Sequence, residues 1–324
     1  MVSGRHPVPV EPEPAVERPV IVVVGPTASG KSTLAIALAR ALDGEVVSAD
    51  SMQVYRGMDI GTAKVPVEER IVPHHGLDLV DPDEPFSAAL FQSYARAAFA
   101  DIASRGRRVV LCGGTGFYVR AAIDDYDFPA GEQVGNPVRD SCLALLADIG
   151  APALWERLQK ADPASAAVIA PNDSKRVIRA FELLEEGESY AVQKERLSRI
   201  PQAVPAVMIG LAVTPDVLRQ RIDARVDEMF AGGLVDEVNG LLRSGFREGV
   251  TAPQAIGYKE VVDAIDGRCT LDEAIERIKT ATRRYAKRQR TWFRKDARIH
   301  WLDADDGNGE RLVSEAMDII GETR

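Results

Sequence analysis

The amino-acid sequence predicts an α/β fold, a parallel sheet flanked by helices and interrupted by a helical insertion, and three observations predict it. Short β-branched runs alternate with stretches of helical period up to residue 123 and again after residue 200. Two of those runs end in glycine-rich turns that lead into helices. From about Asp124 to Ile200 strand character disappears and helical stretches follow one another. The expected organisation is a tail over 1–18, an α/β core over 19–123 and 201–324, and a helical insertion domain over 124–200.

A chain of 324 residues can bury one large core plus a smaller one. The net charge of −9 argues against general affinity for polyanions, so any nucleic-acid contact has to use a local basic patch. Cys112, Cys142 and Cys269 are widely spaced and in no metal or redox pattern, which suits reduced thiols in the cytoplasm. No membrane span and no secretion signal are expected. Residues 1–18, with Pro7, Pro9, Pro12 and Pro14 among charges, read as a disordered tail.

The first strong element is the apolar run Val20–Val24, followed by Gly25-Pro26-Thr27-Ala28-Ser29-Gly30-Lys31-Ser32-Thr33, which fits G-x-x-x-x-G-K-[ST]. Glycines at both ends let successive N–H groups turn inward. The helix expected over Leu34–Leu42 adds its positive end, so a phosphate cluster is held there. Gly25, Thr27, Ala28, Ser29, Gly30, Lys31, Ser32 and Thr33 are the candidate phosphate binders, with Lys31 a point charge for the outer phosphates and Ser32 a ligand for Mg²⁺. A chance glycine-rich turn is the alternative, and both flanks oppose it. What the phosphates are attached to stays open.

Gly44 is expected to end this helix, and Glu45–Ala49 reads as a second strand delivering Asp50-Ser51-Met52-Gln53-Val54-Tyr55 at its carboxyl end. Ligands of open α/β sheets sit beyond carboxyl strand ends, so Asp50 should share the phosphate crevice; a helix or turn cap is the competing reading. Arg56–Lys64 has no period and reads as an ordered functional loop. His74 and His75 lack a third ligand at zinc spacing and read as surface or strand-edge residues, with a short strand over Gly76–Val80. Ser87 is expected to cap a helix over Ala88–Ser104. Arg108–Cys112 is a buried strand ending in Gly113-Gly114-Thr115-Gly116-Phe117-Tyr118, either a tight bend or an active-site turn in which Thr115 supplies a hydroxyl.

In the insertion Pro129 and Pro137 break the chain, and helices are expected over Pro137–Leu146, Ala153–Lys160 and Ser174–Glu186. Lys175 and Arg179 lie one turn apart with Arg176 beside them, as a binding patch or a solvated face. Strand character returns at Ala206–Ala212, and Thr214-Pro215 predicts an N-cap and a first helical residue. The helix that follows puts Arg221 and Arg225 on one face, within reach of the phosphates, and Gly232-Gly233 ends it. A long helix from Leu271 to about Lys295 gathers Arg283, Arg284, Lys287, Arg288 and Arg290 around Tyr285 and Trp292. In an acidic chain that is a signal for nucleic-acid backbone, with a solvated basic face as the alternative. Arg298–Leu302 closes the sheet.

Taken together, GPTASGKS at 25–32, DSMQVY at 50–55, GMDIGTAK at 57–64, GGTGFY at 113–118 and AIGYKE at 255–260 resemble the tRNA dimethylallyltransferase family, in the family's order and over most of the chain. Phe117 departs mildly, standing where many relatives carry leucine. The resemblance implies a P-loop NTPase-like core and transfer of a dimethylallyl group from dimethylallyl diphosphate to N6 of the adenine immediately 3′ of the anticodon in tRNA. A small-molecule kinase is the alternative, and it leaves the basic helix without a use. The implied roles are diphosphate binding by the glycine-rich loop with Arg221, preferred here over Arg225, and Mg²⁺ at Ser32. Asp50 is implied as proton acceptor and Thr115 as a contact on the acceptor side. Asp50, Ser51, Met52, Gln53, Arg139, Lys175, Arg176, Arg179, Lys287, Arg288 and Gln289 are implied to meet the anticodon stem-loop. No counterpart of the eukaryotic C-terminal zinc finger is present, which suits a bacterial type, and a cytoplasmic monomer is expected.

Overall fold

The computed structural model describes residues 18–128 and 136–322. The expected disordered tail, except Arg18, and the break at Pro129 lie outside the described residues. Two compact units separate: one comprises the chain up to Ile123 and from Ala203 onward, the other Asp124–Gln202.

The first unit runs β1 (Val20–Val24), α1 (Lys31–Ala41), β2 (Gly44–Ser48), β3 (His74–His75), α2 (Ala88–Ser104), β4 (Arg108–Gly113) and α3 (Gly116–Ile123). The second unit holds α4 (Pro137–Ala161), α5 (Pro163–Val168), α6 (Ser174–Glu185) and α7 (Tyr190–Ser198). The first then resumes with β5 (Ala206–Ala212), α8 (Pro215–Ala231), α9 (Leu234–Leu242), α10 (Tyr258–Ile265), α11 (Leu271–Phe293), β6 (Ile299–Asp303) and α12 (Gly309–Glu322).

The six strands lie in the order β3-β2-β4-β1-β5-β6, every neighbouring pair parallel. A parallel sheet is covered on both faces, which is why its central strands are continuous apolar runs. Side chains alternate along β1: Val22 and Val24 pack with Phe91, Phe99 and Tyr118 on one face, Ile21 and Val23 with Leu34, Leu38 and Ile222 on the other. Strand order reverses about β1, so the turns after β1, β2 and β4 meet at one edge.

Two expectations need correction. Gly44 does not end the first helix: Leu42 closes α1, Asp43 takes the left-handed turn (φ 49°), and Gly44 opens β2. A Cβ on Gly44 would stand 2.5 Å from the Arg108 carbonyl oxygen, so glycine lets β2 and β4 close. The strand over Gly76–Val80 does not form, because Gly76 (φ 78°) and Asp78 (φ 56°) leave extended geometry. His74–His75 pair with Val46–Val47 instead, and Val80 keeps a single bridge to Tyr55. The first two helices expected in the insertion both form, meeting within α4 at the non-helical Gly150 (φ 78°, ψ 167°), two residues before Pro152.

The local signals held elsewhere. The Ser87 hydroxyl accepts from Leu90 N–H at the start of α2. Pro215 occupies the first turn of α8, although the Thr214 side chain makes no capping bond. In the second unit Asn136, Asp162 and Asp173 cap α4, α5 and α6, around a core that includes Leu154, Leu158 and Val177. Among the described residues no helix is long and apolar enough to cross a membrane.

Candidate active site

A cavity of about 320 Å³ lies beyond the carboxyl ends of β1 and β2. Thr27, Lys31, Ser32, Asp50 and Arg225 all line it. The glycine-rich loop curls because Ala28 (φ 62°) and Gly30 (φ 91°) take left-handed backbone, the turn that aims successive N–H groups inward. A Cβ on Gly25 would come within 2.8 Å of Ser29 Oγ, so a side chain there would displace the Ser29 hydroxyl. Ser29 is 2% exposed and its hydroxyl has no hydrogen-bond partner among the described residues, although the side chain is not part of the cavity lining. Leaving such a group unmet costs about 1–3 kcal/mol. Lys31 and Ser32 open α1, while Thr33 is exposed and outside the cavity lining.

The structure turns Arg221, the preferred arginine, away from the cavity. Its Nη2 donates to the Ala304 and Asp305 carbonyls, both at 2.9 Å, which turns the guanidinium to the segment after β6. Arg225, one turn further along α8, donates from Nη1 to Thr27 Oγ1 at 3.3 Å and lines the cavity. Burial pushes the Lys31 and Arg225 pKa values down; for Lys31 the neighbouring guanidinium adds to this, and Asp50 acts the other way on both. Two desolvated cations side by side make a strong site for a polyanion. Burial likewise pushes the Cys112 thiol up to about 11, so it stays protonated.

The acceptor edge is built from the turn after β2. Asp50 Oδ1 accepts from Met52 N–H at 2.9 Å, so the carboxylate holds its own turn while lining the cavity. Capping and cavity lining are therefore compatible at this residue. Thr115 is not part of the cavity lining, but its Oγ1 accepts from Ser51 N–H at 3.1 Å and donates to Ser51 Oγ at 3.3 Å. That binds the turn after β2 to the glycine-rich turn after β4 beside Asp50.

Met52 and Gln53 line the cavity, yet the Gln53 amide is already engaged. Its Nε2 donates to the Thr62 and Ala63 carbonyls and its Oε1 accepts from Ser48 Oγ. An adenine edge would have to displace those bonds, so in this conformation Gln53 supports the 57–64 loop.

That loop is ordered by Tyr258 and Lys64, which belong to the quoted motifs, and by Glu237, which belongs to none. The Glu237 carboxylate accepts from the N–H groups of Asp59, Ile60 and Gly61 and from the Tyr258 hydroxyl. A Cβ on Gly61 would lie 2.4 Å from the Tyr258 ring. Lys64 Nζ, buried, donates to the Tyr55 carbonyl and to Asp59 and Asp78. A lone glutamate in a helix carries no signal in sequence; only the fold brings Glu237 to the loop.

Basic helix α11 presents Lys287 and Arg288 on its exposed side, with the Arg288 guanidinium 5.6 Å from the Tyr285 ring centre. Burial pushes the Tyr285 hydroxyl up to about 12, with Asp50 adding to it. Gln289 does not share that exposure. It is 5% exposed, its Oε1 accepts from Thr27 N–H at 2.9 Å and its Nε2 donates to the Gly114 carbonyl at 3.0 Å. Gln289, implied above as a tRNA contact, is thus turned inward by α11 and lines the cavity.

In the insertion, Arg139 and Arg179 both pair with the buried Glu182 carboxylate, at 2.6 and 3.0 Å. Arg176 pairs with Asp173, and Lys175 is exposed. These cations are partly neutralised within their own unit, so Lys175 is the least compensated of the set.

The comparisons with known proteins fit this geometry. The family model described as IPP transferase matches residues 53–296, and that described as isopentenyl transferase matches 18–72. A protein of Kineococcus radiotolerans named tRNA dimethylallyltransferase is 49% identical over 298 residues, covering 90% of this chain and 92% of its own. The crystal structure of the full-length tRNA isopentenylpyrophosphate transferase of Bacillus halodurans is 43% identical, with a TM-score of 0.67 over 94% of this chain and 98% of its own. A eukaryotic dimethylallyltransferase acting on tRNA superposes with a TM-score of 0.76 at 31% identity, over 94% of this chain and 80% of its own. The chain belongs to the IPP transferase family, whose similar members carry the name tRNA dimethylallyltransferase.

Proposed function

We propose that this chain transfers a dimethylallyl group from dimethylallyl diphosphate to N6 of the adenine immediately 3′ of the anticodon in tRNA. The observation that carries the reading is one cavity in which Lys31 and Arg225 stand with Asp50, beside apolar Val65, Leu77, Met229 and Ile256. The cations suit a diphosphate, the apolar residues a five-carbon group, and the carboxylate a proton. The bond from C1 to the diphosphate oxygen breaks, its electron pair leaves with the diphosphate, and the N6–C1 bond forms. Asp50 takes the N6 proton. Lys31, Arg225 and the inward N–H groups of the loop hold the charge that grows on the leaving group. Reaching the adenine requires it to leave its stack, at roughly a few kcal/mol, less in a single-stranded loop than in a duplex.

Ser32 offers a hard oxygen to Mg²⁺, with the diphosphate supplying further ligands. Bound there, Mg²⁺ supplies positive charge opposite the diphosphate oxygens. With tRNA as substrate, we place the activity in a cytoplasmic monomer.

Incubation with dimethylallyl diphosphate, Mg²⁺ and unmodified tRNA, followed by nucleoside mass analysis, tests the reading. Prenylated adenosine is expected. ATP consumption with no such product would replace this reading with a kinase.

Two substitutions resolve its parts. Arg225→Ala should raise KM for dimethylallyl diphosphate by roughly tenfold or more, as loss of a charge-assisted contact of about 1.5–3 kcal/mol requires. Arg221→Ala should leave KM nearly unchanged, and steady-state kinetics over both substrates decide which arginine serves. For the RNA, Arg288→Gln should weaken tRNA binding and flatten the plot of log affinity against log salt by roughly 0.7–0.9. An unchanged slope would remove the phosphate contact assigned to Arg288.

A further inference from the structure

We propose that Gln289, which lines the cavity, is a positioning residue that fixes the distance between the phosphate cradle and the acceptor turn through its hydrogen bonds to each. The proposal rests on the functional reading above. A buried primary amide is unusual in a run of cations, and both ends of this one are used on different parts of the site. Its Oε1 accepts from the Thr27 N–H, in the middle of the glycine-rich loop. Its Nε2 donates to the carbonyl of Gly114, whose neighbour Thr115 binds the Asp50–Ser51 turn. One rigid side chain thus spans loop and turn, 262 and 175 residues away in sequence.

The surroundings are shaped for that span. A Cβ on Gly114 would stand 2.2 Å from Gln289 Nε2, and one on Gly116 would stand 2.1 Å from Trp292 Cδ1. The glycines of this turn therefore let α11 approach until the amide reaches both partners. Thr27 is held from its other side as well, by the Arg225 guanidinium on Oγ1. Fixing Thr27 fixes the loop that holds the leaving group; fixing Gly114 and Thr115 fixes the turn beside the proton acceptor. Between them the reacting carbon and nitrogen have to meet in line, and a misplacement near 1 Å is worth about 10² in rate. Gln289 acts on that alignment through the backbone.

An RNA-contact role and a positioning role make opposite kinetic predictions. Gln289→Met keeps the length and removes both hydrogen bonds. With dimethylallyl diphosphate and an unmodified anticodon stem-loop RNA at saturation, its single-turnover rate should fall by about 30- to 100-fold. KM for the RNA and for the diphosphate should stay within about threefold, since Lys287, Arg288, Lys31 and Arg225 remain. Gln289→Asn, one methylene shorter, reaches at most one partner and should fall between the two. A raised RNA KM with an unchanged rate in either variant would overturn the proposal in favour of an RNA contact, and an unchanged rate with unchanged KM would overturn it in favour of packing alone. If Gln289→Met does not fold, Gln289→Asn decides by the same criteria. Wild-type protein that makes no prenylated adenosine defeats the functional reading itself, whereas an active wild type with an indifferent Gln289 defeats only this inference.

Discussion

Asp50→Asn is expected to lower turnover by about 10² to 10⁴ while leaving tRNA affinity within about threefold. Asparagine keeps the size of the side chain and an oxygen able to accept the Met52 N–H, so the turn after β2 should survive. What it loses is the ability to take a proton. An adenine amine is a weak nucleophile whose lone pair is shared with the ring, so relief of its developing positive charge matters in the transition state and hardly at all in the ground state. Interactions made only in the transition state appear in the rate and not in binding. Single-turnover kinetics beside an equilibrium RNA titration separate the two. A variant that turns over normally would remove Asp50 from the proton path, and one that loses RNA binding by more than tenfold would recast it as a recognition residue.

The parts of this site that could be read in sequence are those whose chemistry is local. The glycine-rich loop announces its own backbone shape, and Asp50 follows from its place at a strand end. The parts that could not be read depend on long-range contacts. Arg221 and Arg225 share a helix face and differ by one turn; what separates them is the Ala304 and Asp305 carbonyls, over 80 residues away in sequence, which engage the first and not the second. Gln289 in a basic run looks like one more RNA contact until α11 is seated against Gly114 and Gly116. The ambiguity over whether that glycine turn is a bend or a site has the same origin, since it opens α3 and also admits α11. The missing strand over Gly76–Val80 fails differently: apolar alternation was present, but the positive φ of Asp78 is invisible in it.

Lys31→Ala should lower the single-turnover rate by about 10² to 10³ with tRNA affinity unchanged. The ammonium lies at the start of α1, and its one hydrogen bond among the described residues is to the Pro26 carbonyl at 3.5 Å, the limit of a hydrogen bond. It is thus held close to the cradle without being satisfied by it, ready to strengthen its interaction as negative charge accumulates on the departing oxygen. Low dielectric magnifies that gain relative to water. Arginine should not restore the rate, because a planar fork does not reproduce a point charge on a short tether.

The same burial gives a pH signature. Because burial depresses the Lys31 pKa below 10.5, the empty site begins to lose this proton earlier than an ordinary lysine does. Diphosphate binding favours the charged form, so affinity for pyrophosphate should be highest below the depressed value and fall as pH rises through it. Lys31→Ala should remove that segment of the profile. For folding the sign is reversed: the desolvated charge destabilises the empty protein below that same value, and the penalty disappears as pH rises. Calorimetric titration of pyrophosphate with Mg²⁺ at several pH values, on wild type and variant, reads the first effect directly. Parallel profiles for the two proteins would show that the lysine is not the group the anion recruits.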